Sequence, residues 1–146
     1  MNYSFYTPKE QINEERKKEI ADFLFTHLDQ FGDEHDAIMR CINFALDDKT
    51  KFGGYILTAE DAGEIVGAVV VNKTGMAGYI PENILVYIAV HENYRGKGLG
   101  KELMLKSIDK AQGSVKLHVE PENPARYLYE KLGFTSKYLE MRLHRK

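Results

Sequence analysis

Residues 84–104 read ILVYIAVHENYRGKGLGKELM, and the order of events in this stretch decides the fold. Ile84 to Val90 is almost continuously apolar and rich in β-branched side chains, the pattern of a strand covered on both faces. HENY then gives way to RGKGLG, after which Leu103, Met104, Ile108 and Ala111 recur at helical spacing. The unit is strand, glycine loop, helix. Such a junction aims unpaired backbone N–H groups and the positive end of a helix at one spot, and the missing Cβ atoms of Gly96, Gly98 and Gly100 admit a diphosphate. Arg95, Lys97 and Lys101 add positive charge, so the stretch reads as an anion cradle. The alternative at this point is a plain basic turn capped by glycines.

Spacing narrows the anion. A dinucleotide fingerprint beginning at Gly96 would need glycine where Lys101 stands, and a Walker loop would need Ser or Thr where Glu102 stands. A second segment, Asn123 to Phe134, reads NPARYLYEKLGF: Asn123 then Pro124 opens a helix, Ala125, Leu128 and Leu132 form its inner stripe, and Gly133 stops it. Together R-x-x-G-x-G and N-P-A-R-x-L-Y-E-K-L-G-F, in this order and separated by one strand, resemble the two signatures of the GNAT superfamily of acetyl-CoA-dependent N-acetyltransferases. The likeness is motif-specific from Ile84 to Phe134 and coarse elsewhere.

The resemblance implies an α/β (α+β) fold, with a central mixed, mostly antiparallel twisted sheet of six to seven strands flanked by about four helices. It implies acetyl-CoA as co-substrate, bound by Arg95, Gly96, Lys97, Gly98, Leu99, Gly100 and Lys101 at the diphosphate. Ile88, Ala89 and Val90 would lie along the pantetheine, with a backbone N–H near Val90 as oxyanion donor, and Asn123 and Tyr129 would stand on the following helix. Tyr129, by residue-wise match, becomes the general acid for the departing thiolate. His118 is the candidate base, because some members carry a catalytic glutamate near that place and a neutral imidazole suits the task; Glu120 is its same-face neighbour. Glu92 and Glu82 flank the central strand as weaker candidates. The reaction implied is transfer to a primary amine in a ternary complex, against the alternative of a non-catalytic acyl-CoA sensor or interaction module with the same cradle. A nucleotide-binding domain is a third reading, weakened by the missing Walker Ser/Thr.

Totals set the outer limits. The chain has 146 residues, 43% hydrophobic and 29% charged, which fits one domain spanning 1–146. A net charge of −2 argues against a general nucleic-acid binder. No apolar run suits a membrane span and no signal-peptide pattern opens the chain, so a cytoplasmic location is expected. Cys41 is alone, and histidines 27, 35, 91, 118 and 144 are too scattered for a metal motif, so no metal is expected.

The remaining elements follow in order. Asn2 to Tyr6 suggests a short strand, and Ile12, Ile20, Phe23, Leu24, Leu28 and Phe31 mark a helix from about Lys9 to Gln30. Asp33 is the expected N-cap of a second helix with Ile38, Cys41, Ile42, Ala45 and Leu46 on one face, which makes a thioester on Cys41 improbable. The run GDEHD (32–36) is either a solvated turn or an acidic lip for a cationic amine. Gly54 to Ala59 and Glu64 to Val71 form a hairpin, and the linker 72–83 either shapes an acceptor pocket through Met76 and Tyr79 or is bare surface. Val115 to Val119 is a strand, and Tyr138 to Leu143 is expected to close the sheet with an edge through which two copies of the chain could pair.

Overall fold

The computed structural model describes residues 1–10, 12–49 and 52–145. In chain order the elements are β1 (Asn2–Tyr6), α1 (Glu14–His27), α2 (His35–Ala45), β2 (Gly54–Asp61), β3 (Glu64–Lys73), β4 (Asn83–Val90), α3 (Leu99–Lys110), β5 (Val115–Leu117) and α4 (Ala125–Lys131). The sheet order is β1-β2-β3-β4-β5, antiparallel except for the parallel pair β4–β5.

Local rules account for most boundaries. The β2–β3 hairpin turns on Ala62 (φ 53°) and Gly63 (φ 82°), the two left-handed residues of a tight turn, which lets β2 run two residues past its expected end; β3 also gains two residues, at its far end. Helix α1 starts at Glu14 because the Asn13 Oδ1 accepts from Arg16 N at 2.8 Å. Ahead of it, Thr7 N donates to Glu10 Oε2 at 2.7 Å in a turn, so the helix does not reach back to Lys9; residue 11 of the expected helix lies outside the described residues. Helix α2 begins at His35 with Glu34, not the expected Asp33, at its N-cap and no side-chain cap, while Asp33 Oδ2 accepts from the Tyr87 hydroxyl.

The sheet separates two apolar layers. Ile20, Leu24, Ile38, Ile42, Ile56, Val70 and Tyr87 are packed between the sheet and α1–α2; Leu57, Val69, Val71, Leu85, Leu103, Met104 and Tyr129 fill the other side beneath α3–α4. A Cβ on Gly67 would lie 2.7 Å from Leu103 Cδ1, so its absence lets α3 settle directly on β3. Each fully buried Leu or Ile here contributes about 1.5–3 kcal/mol of burial free energy.

Two features of β4 position the site. Val70 pairs with Tyr87 but Val71 pairs with Leu85, so Val86 is an extra, bulged residue. The bulge resets the alternation: Leu85, Ile88 and Val90 serve the α3–α4 layer while Tyr87 and Ala89 serve the α1–α2 layer. In addition, β4 pairs with β5 only through Asn83, Ile84 and Leu85, so beyond Leu85 the two strands part and leave a wedge.

The sheet therefore has five strands among the described residues, not six to seven. The expected strand Tyr138–Leu143 is not formed: Tyr138, Leu139, Met141 and Leu143 are 80%, 89%, 87% and 82% exposed and no strand pairs with them. Alternation alone does not make a strand without a neighbouring edge to bond. Likewise β5 stops at Leu117 instead of Val119.

Candidate functional site

The open edge of β4 can be read from its hydrogen bonds. His91 N donates to Val66 O at 2.8 Å, so the Val90–Gly67 and Ile88–Val69 pairs are of the type whose N–H and C=O groups point away from β3. The amides of Ile88 and Val90 thus face the wedge, where no strand takes them. Arg95 Nε confirms the direction, donating to Val90 O at 3.0 Å across the wedge's mouth.

Beyond β4 the chain makes one 3₁₀ turn, Glu92–Tyr94, and enters the glycine loop. Gly96 (φ 77°) and Gly98 (φ 85°) adopt the left-handed conformation that side chains resist, and a Cβ on either would meet nothing within 4 Å. These glycines are therefore demanded by backbone shape, with open space above them. Gly98 is the N-cap of α3, and the Leu99, Gly100 and Lys101 amides, in its first turn, have no intrahelical acceptor. Gly100 is helical, and a Cβ there would sit 3.6 Å from Leu128 Cδ2 and 3.8 Å from Val90 Cγ2, an ordinary contact. The loop that the sequence suggested as an anion cradle thus brings unpaired amides together at a helix start.

A cavity of about 480 Å³ joins these parts. Its walls include Ile88 and Val90 of β4, Arg95, Gly96, Gly98, Gly100 and Lys101 of the loop, and Asn123, Leu128 and Tyr129 around α4. Tyr129 is 7% exposed, edge-on to Phe134 with ring centroids 6.2 Å apart, and its hydroxyl has no hydrogen-bond partner among the described residues. Burial pushes its phenol up to about 12, so it stays protonated at neutral pH and available as a donor. Asn123 Oδ1 accepts from Ala125 N at 2.9 Å, but the helix starts one residue later than expected, at Ala125 with Pro124 as its N-cap, so Asn123 closes the turn ahead of the helix.

Other expected residues fall elsewhere. Ala89 turns its side chain into the α1–α2 layer, Leu99 buries its own among α3 and β3, and Lys97 Nζ stands 5.6 Å from the Tyr94 ring centroid. His118 and Glu120 are exposed beyond the end of β5 and do not line the cavity, because Leu117 and Val119 take the inward positions. Glu82 accepts from Ser114 N at 3.2 Å, and the linker carrying exposed Met76 and Tyr79 borders only a shallow depression near Ser114.

The sequence reading missed the fourth wall. His27, Leu28, Asp29 and Phe31, from the end of α1, complete the cavity. His27 stacks between Phe23 (centroids 4.6 Å) and His91 (4.4 Å). Burial first, then His91 and Arg95, lower its pKa. Arg95 NH2 donates to His27 O at 2.9 Å and lies 3.4 Å from Asp29 Oδ2, so this arginine straps the end of α1 to the end of β4 and is only partly free to meet an anion. The only local hint was Phe23 four residues ahead of His27 on one helix face. Among the described residues, no group of histidine, cysteine and acidic side chains could hold a metal, and no helix is long and apolar enough to cross a membrane.

A mixed sheet that splits beside a glycine-capped helix, with an anion cradle at one end of the split and a buried tyrosine along it, defines an acyl-coenzyme transferase architecture. Residues 52–136 match the acetyltransferase (GNAT) domain model, and the chain belongs to that family. Over 84 residues the chain is 36% identical to a 5-NmdU N-acetyltransferase of Pseudomonas phage PaMx11, a match that covers 56% of this chain and 58% of that protein. In fold it resembles a ribosomal-protein-alanine N-acetyltransferase from Brucella melitensis biovar Abortus 2308, with TM-score 0.66, 20% identity, and 99% and 100% of the two chains covered. It also resembles AAC(6')-Iy in complex with the bisubstrate analogue CoA-S-monomethyl-acetylneamine, with TM-score 0.66, 15% identity, and 100% and 99% covered.

Proposed function

We propose that this chain is an N-acetyltransferase that moves the acetyl group of acetyl-CoA to a primary amine by direct attack. One observation carries the reading: Gly96, Gly98, Gly100 and Lys101 of the loop, Ile88 and Val90 of the open β4 edge, and Tyr129 all line the same cavity. The coenzyme would supply an acetyl thioester, an acyl group already activated toward nitrogen. The residues present fit it. The loop amides, Lys101 and the free part of Arg95 suit a diphosphate, and the wedge offers peptide-like donors to an amide-bearing chain laid along β4.

The chain's own groups then divide the work. The Ile88 and Val90 N–H groups stand ready to donate to a carbonyl oxygen as charge builds on it. Tyr129, kept neutral by burial, would give a proton to the departing sulfur. An aliphatic amine with a pKa near 10.4 needs about 4–5 kcal/mol to expose its lone pair at pH 7. His118 and Glu120, exposed past β5, could take that proton only through water. The names of the phage relative and of the bound neamine analogue both point to nitrogen acceptors, in keeping with this reading.

Calorimetric titration with acetyl-CoA, followed by thiol release with a panel of amines, tests the reading. Binding together with amine-dependent thiol release is expected. Binding without release from any amine would replace the enzyme with an acyl-CoA sensor, and no binding would remove both.

A further inference from the structure

Residues 138–144, YLEMRLH, follow α4 and take no part in the chemistry above. Their root is fixed: Phe134 N donates to Tyr129 O at 3.0 Å, and the two rings meet edge to face. Beyond it the chain has no regular structure, and among the described residues no backbone hydrogen bond ties 138–144 to another segment. Tyr138, Leu139, Met141 and Leu143 are all exposed. Four large hydrophobic side chains left in water within six residues mark an interaction surface. Glu140 bonds Arg142 within the segment. The fields of His118 and His144 reach Glu140 and that of Asp33 reaches Arg142, with no hydrogen bond to any of the three among the described residues.

As a strand this segment puts Leu139, Met141 and Leu143 on one face and Tyr138, Glu140, Arg142 and His144 on the other. It is also complementary to itself. Directly opposed residues of an antiparallel pair share a face, so two copies centred on Met141 set Leu139 against Leu143, Glu140 against Arg142 and Tyr138 against His144, each twice, with Met141 on the axis. Neighbouring registers do worse. A centre on Glu140 or Arg142 opposes a charge to itself, and a centre between two residues sets apolar side chains against charged ones. Two strands alone are marginal, but this ribbon has a third to lie against. β5 ends the sheet with its outer edge open, and setting Glu140 opposite Lys116 brings Leu139 to Leu117 and Met141 to Val115, whose side chains already pack in the α3–α4 layer.

We infer that residues 138–144 form a two-fold antiparallel strand pair with the same residues of a second copy, so that the chain is a homodimer whose two sheets run on through the tails. One patch serves both subunits and the contact closes on itself, as an isologous interface requires. Pairing also removes the open sheet edge beyond β5. The contact lies on the side of the tail away from β5 and outside the cavity, so the inference stands apart from the reaction proposed above.

Sedimentation velocity of the full chain at concentrations up to about 100 μM tests this, and a dimer is expected. Glu140→Arg or Arg142→Glu alone turns two attractive cross-strand pairs into two repulsive ones and should raise the dimer Kd about tenfold or more. The double variant, and an equal mixture of the two single variants, should both regain the wild-type dimer. A cross-linking series fixes the register. In a Cys41→Ala background, Met141→Cys should link to its own copy on mild oxidation, because opposed Cα atoms stand about 4.5–5.5 Å apart. Leu139→Cys should link to Leu143→Cys but not to itself, its own copy lying about 13 Å further along the pair. A monomer at every concentration, whether the tail lies on β5 alone or serves another protein's sheet edge, would overturn the inference. So would a single charge reversal that dimerises like wild type, a mixture that fails to recover, or self-linking of Leu139→Cys as fast as that of Met141→Cys.

Discussion

Replacing Gly98 by alanine separates backbone shape from space. The residue sits at φ 85°, ψ 4°, and a Cβ there would touch nothing within 4 Å, so the whole cost is conformational. Holding an L-residue in the left-handed region costs about 1–2 kcal/mol, which for a chain of this length lowers Tm by roughly 2–8 °C. The loop can relieve that strain by rotating, which turns the first amides of α3 off their common target. Losing one charge-assisted hydrogen bond to a phosphate oxygen weakens binding by about 1.5–3 kcal/mol, or roughly 10- to 100-fold in Kd. Gly100→Ala is the matched control: its φ is ordinary and its Cβ would rest 3.6 Å from Leu128 Cδ2. Alanine there should stabilise α3 by up to about 1 kcal/mol and leave acetyl-CoA affinity within about threefold. Thermal melts and calorimetry on both variants decide it. Unchanged affinity in Gly98→Ala, or a greater loss in Gly100→Ala, would refute the claim that left-handed geometry sets the cradle.

Three further outcomes follow from the same geometry. Tyr129→Phe should lower kcat about 100-fold or more without moving the KM for acetyl-CoA, and wild-type kcat should show no alkaline fall from this hydroxyl below ~pH 11, given its pKa of about 12; a kcat within twofold of wild type would remove the acid role. His27 binds its proton less readily folded than unfolded, so the stability it contributes is complete above about pH 6.5 and is lost as pH falls through its depressed folded pKa. Urea midpoints measured from pH 7.5 down to 5 should therefore fall, and less so in His27→Gln. Cys41, pushed up to about 11 by burial, should alkylate far more slowly in native than in denatured protein at pH 8, and Cys41→Ala should keep full thiol release.

What the sequence disclosed was whatever local rules dictate. The glycines of RGKGLG announced a tight loop before a helix, Asn123 before Pro124 announced a helix start, and the apolar run 84–90 announced an interior strand, because each depends on neighbours a few residues away. His27, Asp29 and Phe31 could not be found this way, since they reach the cavity from the end of α1 and the 3₁₀ turn after it, His27 and Asp29 standing 68 and 66 residues before Arg95. Arg95 was legible as charge but not as a strap, because two of its acceptors, Val90 O and His27 O, are backbone atoms that any sequence would supply, and the third, Asp29, lies far away in the chain. The tail misled for a related reason: YLEMRL alternates like a strand, but whether an edge receives it is a property of the assembled sheet. Val86 was equally opaque, as one surplus residue within an unbroken apolar run.

The short zip between β4 and β5 has a mechanical meaning. Three residue pairs join them, and Asn83, 1% exposed, pins that end by donating from its side chain to Gln112 O at 2.9 Å and Ser114 O at 3.2 Å. Ile88 lies three residues past this joint, about 10 Å along the strand, so a pivot of only 5° or so there swings the jaws by about 1 Å at Ile88, a misplacement on the scale that can cost about 100-fold in rate. A buried amide far from any reacting atom thereby governs how wide the clothes-peg opens.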